Sequence, residues 1–154
     1  MIDYEVEGVY ETPASIAESM DSLYKYFEYT PDGITDLFDS MRFPAECYKK
    51  LITSVFKDDC DGFHAAMYHV AKKKGFDAYL LTYIPTDIKE GHTVVLIKYL
   101  SRYWILDYDK VLVNNSIEEV LNDTVNRRKV ELVAYNITEF DYDKGKYVIR
   151  KEPI

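Results

Sequence analysis

Apolar spacing along the chain predicts an α+β domain, with helices in the first half and a mostly antiparallel sheet after them. Two observations carry this reading. Apolar residues recur at intervals of three and four as far as Lys74, then give way beyond Gly75 to β-branched and aromatic runs. Those runs are separated by short turn signals, Leu100-Ser101-Arg102 and Lys144-Gly145, and the first of these suggests a hairpin.

The first helical pattern opens at Thr12-Pro13. Thr12 is suited to the N-cap, and Pro13 to the first helical position, where its missing N–H costs nothing. Ile16, Met20, Leu23, Tyr24 and Phe27 then line one face. Pro31 and Pro44 repeat the device ahead of Ile34-Leu37-Phe38-Met41 and Tyr48-Leu51-Ile52-Phe56. A fourth helix is expected from about Asp59 to Lys74, with Phe63, Met67, Val70 and Ala71 as its apolar stripe. Lys72-Lys73-Lys74 complement the negative helix end, and Gly75 can take the left-handed conformation that stops it. Strands are expected at Ala78 to Ile84, His92 to Tyr99 and Tyr103 to Asp107. Ser116-Ile117-Glu118-Glu119 fits a capping box for a short helix. Val130 to Ile137 and Lys146 to Arg150 read as closing strands.

A length of 154 residues suits a single domain over 1–154, and no Gly-, Ser- or Pro-rich stretch divides it. Hydrophobic content of 47% is too high for a disordered chain. Lys and Arg number 19 against 27 Asp and Glu, a net charge of −8. That balance argues against nucleic acid as a partner, because phosphate neutralisation needs surplus cations, and against anionic membrane surfaces. Two cysteines, Cys47 and Cys60, are too few for a disulfide framework, so reduced thiols in a cytoplasmic setting are expected. The first residues show no secretory signal pattern, and no apolar run reaches the ~20 residues of a membrane helix.

Three residues carry chemistry: Cys60, His92 and Asp107. Cys60 falls in the first turn of the fourth helix, where unpaired backbone N–H groups and the helix dipole favour a thiolate. His92 starts one strand and Asp107 ends the next, so a hairpin would bring them together. A thiol, an imidazole that moves its proton and a carboxylate that orients the ring are the components of nucleophilic catalysis.

Asp59-Cys60-Asp61-Gly62-Phe63, Gly75-Phe76-Asp77-Ala78, His92 at a strand start and Trp104-Ile105-Leu106-Asp107 together resemble the transglutaminase-like superfamily of cysteine enzymes. The resemblance covers about residues 51–113. It implies a transglutaminase-like (papain-like) core, with the nucleophile at a helix N-terminus packed on the sheet. It further implies Cys60 as nucleophile, His92 as general base and acid, Asp107 as orienter, and acyl transfer from a peptide or protein amide through a thioester. Hydrolysis is favoured over transfer to an amine, since water needs no acceptor site. No cofactor or metal is implied, and a small chain of this kind would suit a bacterium or a phage. His64, Asp61 and Trp104 are the residues expected to line the substrate pocket.

Other readings attach to the same residues. Asp58 and Asp59 precede Cys60 where the family commonly has a Gly two residues before the nucleophile. His64 stands where a small residue is usual. These differences motivate the alternative of an inactive binding module that keeps the pocket. Cys60, His64 and His92, with Asp61 or Asp107, could instead offer zinc ligands, although no CxxC or HExxH spacing accompanies them. Cys47 is expected as a buried small hydrophobe, His69 as structural and Trp104 as a core residue whatever the function, and Asp107-Tyr108-Asp109-Lys110 could also be a plain turn.

Overall fold

The computed structural model describes residues 10–24, 27–29, 44–53, 56–58, 60–87, 91–108 and 110–150. Helix α1 spans Pro13–Tyr24. Thr12 and Ser15 cap it reciprocally: Thr12 N–H donates to Ser15 Oγ at 3.3 Å, and Ser15 N–H to Thr12 Oγ1 at 3.4 Å. Strand β1 (Phe27–Tyr29), helix α2 (Pro44–Thr53) and strand β2 (Phe56–Asp58) follow. Phe27 pairs with Phe56 in a small parallel sheet. Both residues had read as the last turns of helices. Strands of three residues are too short to show alternation, and only pairing between distant segments reveals them. The helix expected around Ile34 to Met41 lies outside the described residues.

Helix α3 (Cys60–Lys73) ends in the hydrogen-bond pattern that satisfies its last carbonyls, with Gly75 N–H to Lys72 O at 3.1 Å and Phe76 N–H to Ala71 O at 3.0 Å. Gly75 adopts φ +85°, a conformation that strains any residue with a Cβ. The chain then enters β3 (Asp77–Pro85), β4 (His92–Tyr99), β5 (Arg102–Asp107) and β6 (Lys110–Asn114). Helix α4 (Ile117–Arg128) and strands β7 (Leu132–Asp141) and β8 (Lys146–Arg150) complete the described fold.

Among the described residues, the main sheet has six strands in the order β6-β5-β4-β3-β7-β8, with every neighbouring pair antiparallel. The molecule is thus a mixed α+β fold on an antiparallel sheet. Strand β6 occupies residues that carried no strand expectation, because its hairpin partner β5 supplies the pairing that its short sequence does not advertise. Strand β7 begins two residues later than expected and runs four further, to Asp141.

Both faces of the sheet are covered. Ile16 and Met20 of α1, Cys47 and Tyr48 of α2, and Phe63, Met67 and Val70 of α3 pack on Leu80, Val95, Ile97 and Leu106. On the other face Val120 of α4 packs with Leu81, Val94, Leu96, Ile105 and Ile137. Alternate residues of β3 and β4 therefore serve opposite cores, and their sequences read as continuous apolar runs. No helix among the described residues is long and apolar enough to cross a membrane.

Candidate active site

The β4–β5 hairpin builds the central pair. Its register sets Val95 opposite Leu106, and one further step places Asp107 opposite Val94, diagonal to His92 on the same face. His92 Nε2–H donates to Asp107 Oδ1 at 2.8 Å. Both side chains are buried. On the far side of His92, Tyr83 of β3 is its direct cross-strand partner, with the rings stacked at 22° and 6.5 Å between centroids.

Burial works against ionisation of Asp107. It is outweighed by the His92 hydrogen bond and by the charges of His92 and Arg128, so its carboxyl falls from about 3.8 to about 2. From α4, Arg127 Nη1 lies 3.7 Å from Asp107 Oδ2. Its Nε donates to Asp123 Oδ2 at 3.2 Å, one turn earlier on the same helix. Burial pushes the Tyr83 phenol up to about 12, opposed by Thr124 and Arg127. Its oxygen has no hydrogen-bond partner among the described residues. Thr124 lies near the phenol, and its own hydroxyl donates to Val120 O at 2.9 Å.

Helix α3 reaches the pair from the other face. Cys60 is its first residue, and the Cys60 and Asp61 side chains lie outside what the structure describes. His64, one turn after Cys60, is fully buried and sets its ring edge-on to His92, 5.6 Å between centroids. His64 Nε2 accepts the Tyr108 backbone N–H at 3.0 Å. The same nitrogen is 3.9 Å from Asp107 Oδ1. A nitrogen that accepts an N–H carries a lone pair rather than a proton, so His64 is neutral in this arrangement and its proton sits on Nδ1. Tyr108 takes φ +54°, a left-handed conformation unusual for a large side chain, and its ring packs on Phe63 and His64.

The structure therefore brings His64, His92 and Asp107 together, at the start of the helix that Cys60 opens. It does not bring Trp104 into this group. Trp104 sits nearer the opposite end of β5, donates its indole N–H to Tyr99 O at 3.3 Å and packs into the α3-side core. His69 is remote from the pair, bonded through Nδ1 to Tyr142 Oη at 3.0 Å, and Cys47 is buried in the core. Among the described residues no group of three His, Cys, Asp or Glu side chains is arranged to hold a metal ion. Sequence reasoning missed Arg127, Tyr108 and Tyr83. The hairpin register could have found Tyr83, whereas Arg127 belongs to a helix whose packing has no local sequence signal.

No family model matches the sequence, and no curated protein matches it. Solved structures do. Legionella pneumophila LapG superposes with a TM-score of 0.55 at 18% identity, over 86% of this chain and 68% of that one. EGTA-treated Legionella pneumophila LapG gives the same TM-score at 17% identity, over 93% of this chain and 75% of that one. At such identity the likeness speaks for the fold alone.

Proposed function

We propose that this chain is a transglutaminase-like cysteine hydrolase that cleaves a peptide or protein amide with Cys60 as nucleophile, His92 as base and acid, and Asp107 as orienter. The observation that carries the reading is the buried 2.8 Å bond between His92 and Asp107, placed beside the helix that Cys60 begins. The likeness in fold to LapG and the resemblance in sequence support it independently.

Asp107 occupies Nε2 of His92, so Nδ1 is the nitrogen left to exchange a proton with a thiol. This is the reverse of the assignment in serine triads, where Nε2 faces the nucleophile. His92 Nδ1 takes the Cys60 proton, and the thiolate adds to the amide carbonyl carbon. The resulting oxyanion is met by the Cys60 backbone N–H, which as a first-turn donor has no partner inside the helix. The tetrahedral adduct collapses as His92 returns its proton to the departing amine. Water activated by His92 then hydrolyses the thioester and restores the thiol.

Iodoacetamide labelling at pH 6, with the modified residue mapped by mass spectrometry, tests this. Cys60 is expected to react at pH 6 while buried Cys47 does not, and His92→Ala is expected to slow the Cys60 reaction at least about tenfold. Cys60 reactivity that rises only near pH 8.5, as for an unactivated thiol, would leave the chain as a binding module.

A further inference from the structure

We infer that Arg127 of α4 is a positioning residue for the His92–Asp107 pair: by holding Asp107 Oδ2 it keeps Oδ1 turned toward the imidazole. A carboxylate anchored through one oxygen can still turn about its terminal torsion, which has a broad, roughly two-fold profile. His92 engages Oδ1 at 2.8 Å, and Arg127 Nη1 stands 3.7 Å from Oδ2, so the two partners take opposite oxygens. Arg127 is itself held, because its Nε donates to Asp123 Oδ2 at 3.2 Å. One guanidinium thus ties a helix turn to the strand end that carries Asp107. A fork of fixed donors can do this, and a single ammonium cannot.

Among the described residues, groups from three further elements face the pair, with the Tyr108 ring beside His92. His64 from α3 is neutral through its bond from Tyr108, Tyr83 from β3 presents a phenol, and α4 supplies both Arg127 and Arg128. Arg128 acts on Asp107 through its charge, whereas the ion-pair contact from α4 is made by Arg127. Arg128 is therefore an internal control for charge without contact. The catalytic consequence rests on the function proposed above; the geometry does not.

The two roles predict different outcomes. Deleting a nearby cation that acts through charge alone leaves the Asp107 carboxylate seated on His92 Nε2. Deleting the group that holds Oδ2 lets the carboxylate turn and breaks that bond. The experiment is NMR of the full chain with ¹⁵N-labelled histidine, following the hydrogen-bonded His92 Nε2–H signal. Arg127→Met is expected to broaden or erase that signal. Arg127→Lys, which keeps the charge without the fork, should weaken it as well. Arg128→Met should retain the signal.

Asp123→Asn loosens the guanidinium without deleting it and is expected to broaden the same signal by less. It stands in if Arg127→Met fails to fold. A retained signal in Arg127→Met, or no effect of Asp123→Asn when it alone folds, overturns the proposal. Because this readout does not require Cys60 to react, an unreactive Cys60 with a loosened pair in Arg127→Met would sink the catalytic reading and leave the positioning role standing. A reactive Cys60 with an undisturbed pair would do the reverse.

Discussion

The carboxylate of Asp107 is buried yet ionised, so one part of the fold's stability depends on pH through a single group. Its folded pKa of about 2 lies below the ordinary 3.8. A depressed carboxylate stabilises the fold fully above the unfolded value and loses that contribution as pH falls through the folded one. At about 1.4 kcal/mol per pKa unit, Asp107 contributes roughly 2 kcal/mol that disappears between about pH 4 and pH 2. Urea unfolding across that window is expected to show a shallower decline for Asp107→Asn than for the wild type; equal slopes would remove the carboxylate from this role. His64 is the second residue with a measurable cost. Truncating it strands the Tyr108 N–H in a left-handed turn, so His64→Ala should cost about 2 kcal/mol or more. His64→Gln, which restores an acceptor, should cost less, and denaturation of the two variants side by side decides it. If Gln is no better than Ala, the Tyr108 bond is not what His64 contributes.

At the scale of elements, local chemistry explains most of what forms. Ser116 caps α4 by accepting the Glu119 N–H at 3.1 Å, and Glu119 reaches back to the Asn115 N–H at 2.6 Å. Ser116→Ala should therefore lower stability by about 1 kcal/mol, read from chemical denaturation. The β4–β5 hairpin turns through Leu100 and Ser101, both at positive φ, 53° and 60°. Such a two-residue turn matches the sheet's twist but suits Asn-Gly far better than Leu-Ser. Leu100 is also 76% exposed, so its side chain offers little packing in return. The double substitution Leu100→Asn, Ser101→Gly is expected to raise the melting temperature by several degrees, equivalent to about 1 kcal/mol. No change would mean that the turn conformation carries little strain. The same hairpin sets His92 against Asp107, so a better turn should leave the 2.8 Å bond intact.

Across the whole molecule, stability should be graded from the centre of the sheet outward. Strands β3 and β4 are covered on both faces, whereas the edge strands β6 and β8 are half exposed. Amide hydrogen exchange should be slowest at Leu80 to Thr82 and Val94 to Leu96, and fastest in β6 and β8. A uniform exchange rate over the sheet would contradict that gradient. The sequence by itself determined the order of the main helices and strands, the Gly75 stop, the capping of α4 and the meeting of His92 with Asp107. Each of these follows from periodicity, turn chemistry or a single hairpin, all of which act between near neighbours along the chain. Only the tertiary structure decided that Phe27 and Phe56 are paired strands and that β6 extends the sheet. It also placed His64 and Tyr108 against the pair from one side and Arg127 from the other. Those contacts join segments that no local pattern connects, because they arise when helices close over opposite faces of one sheet.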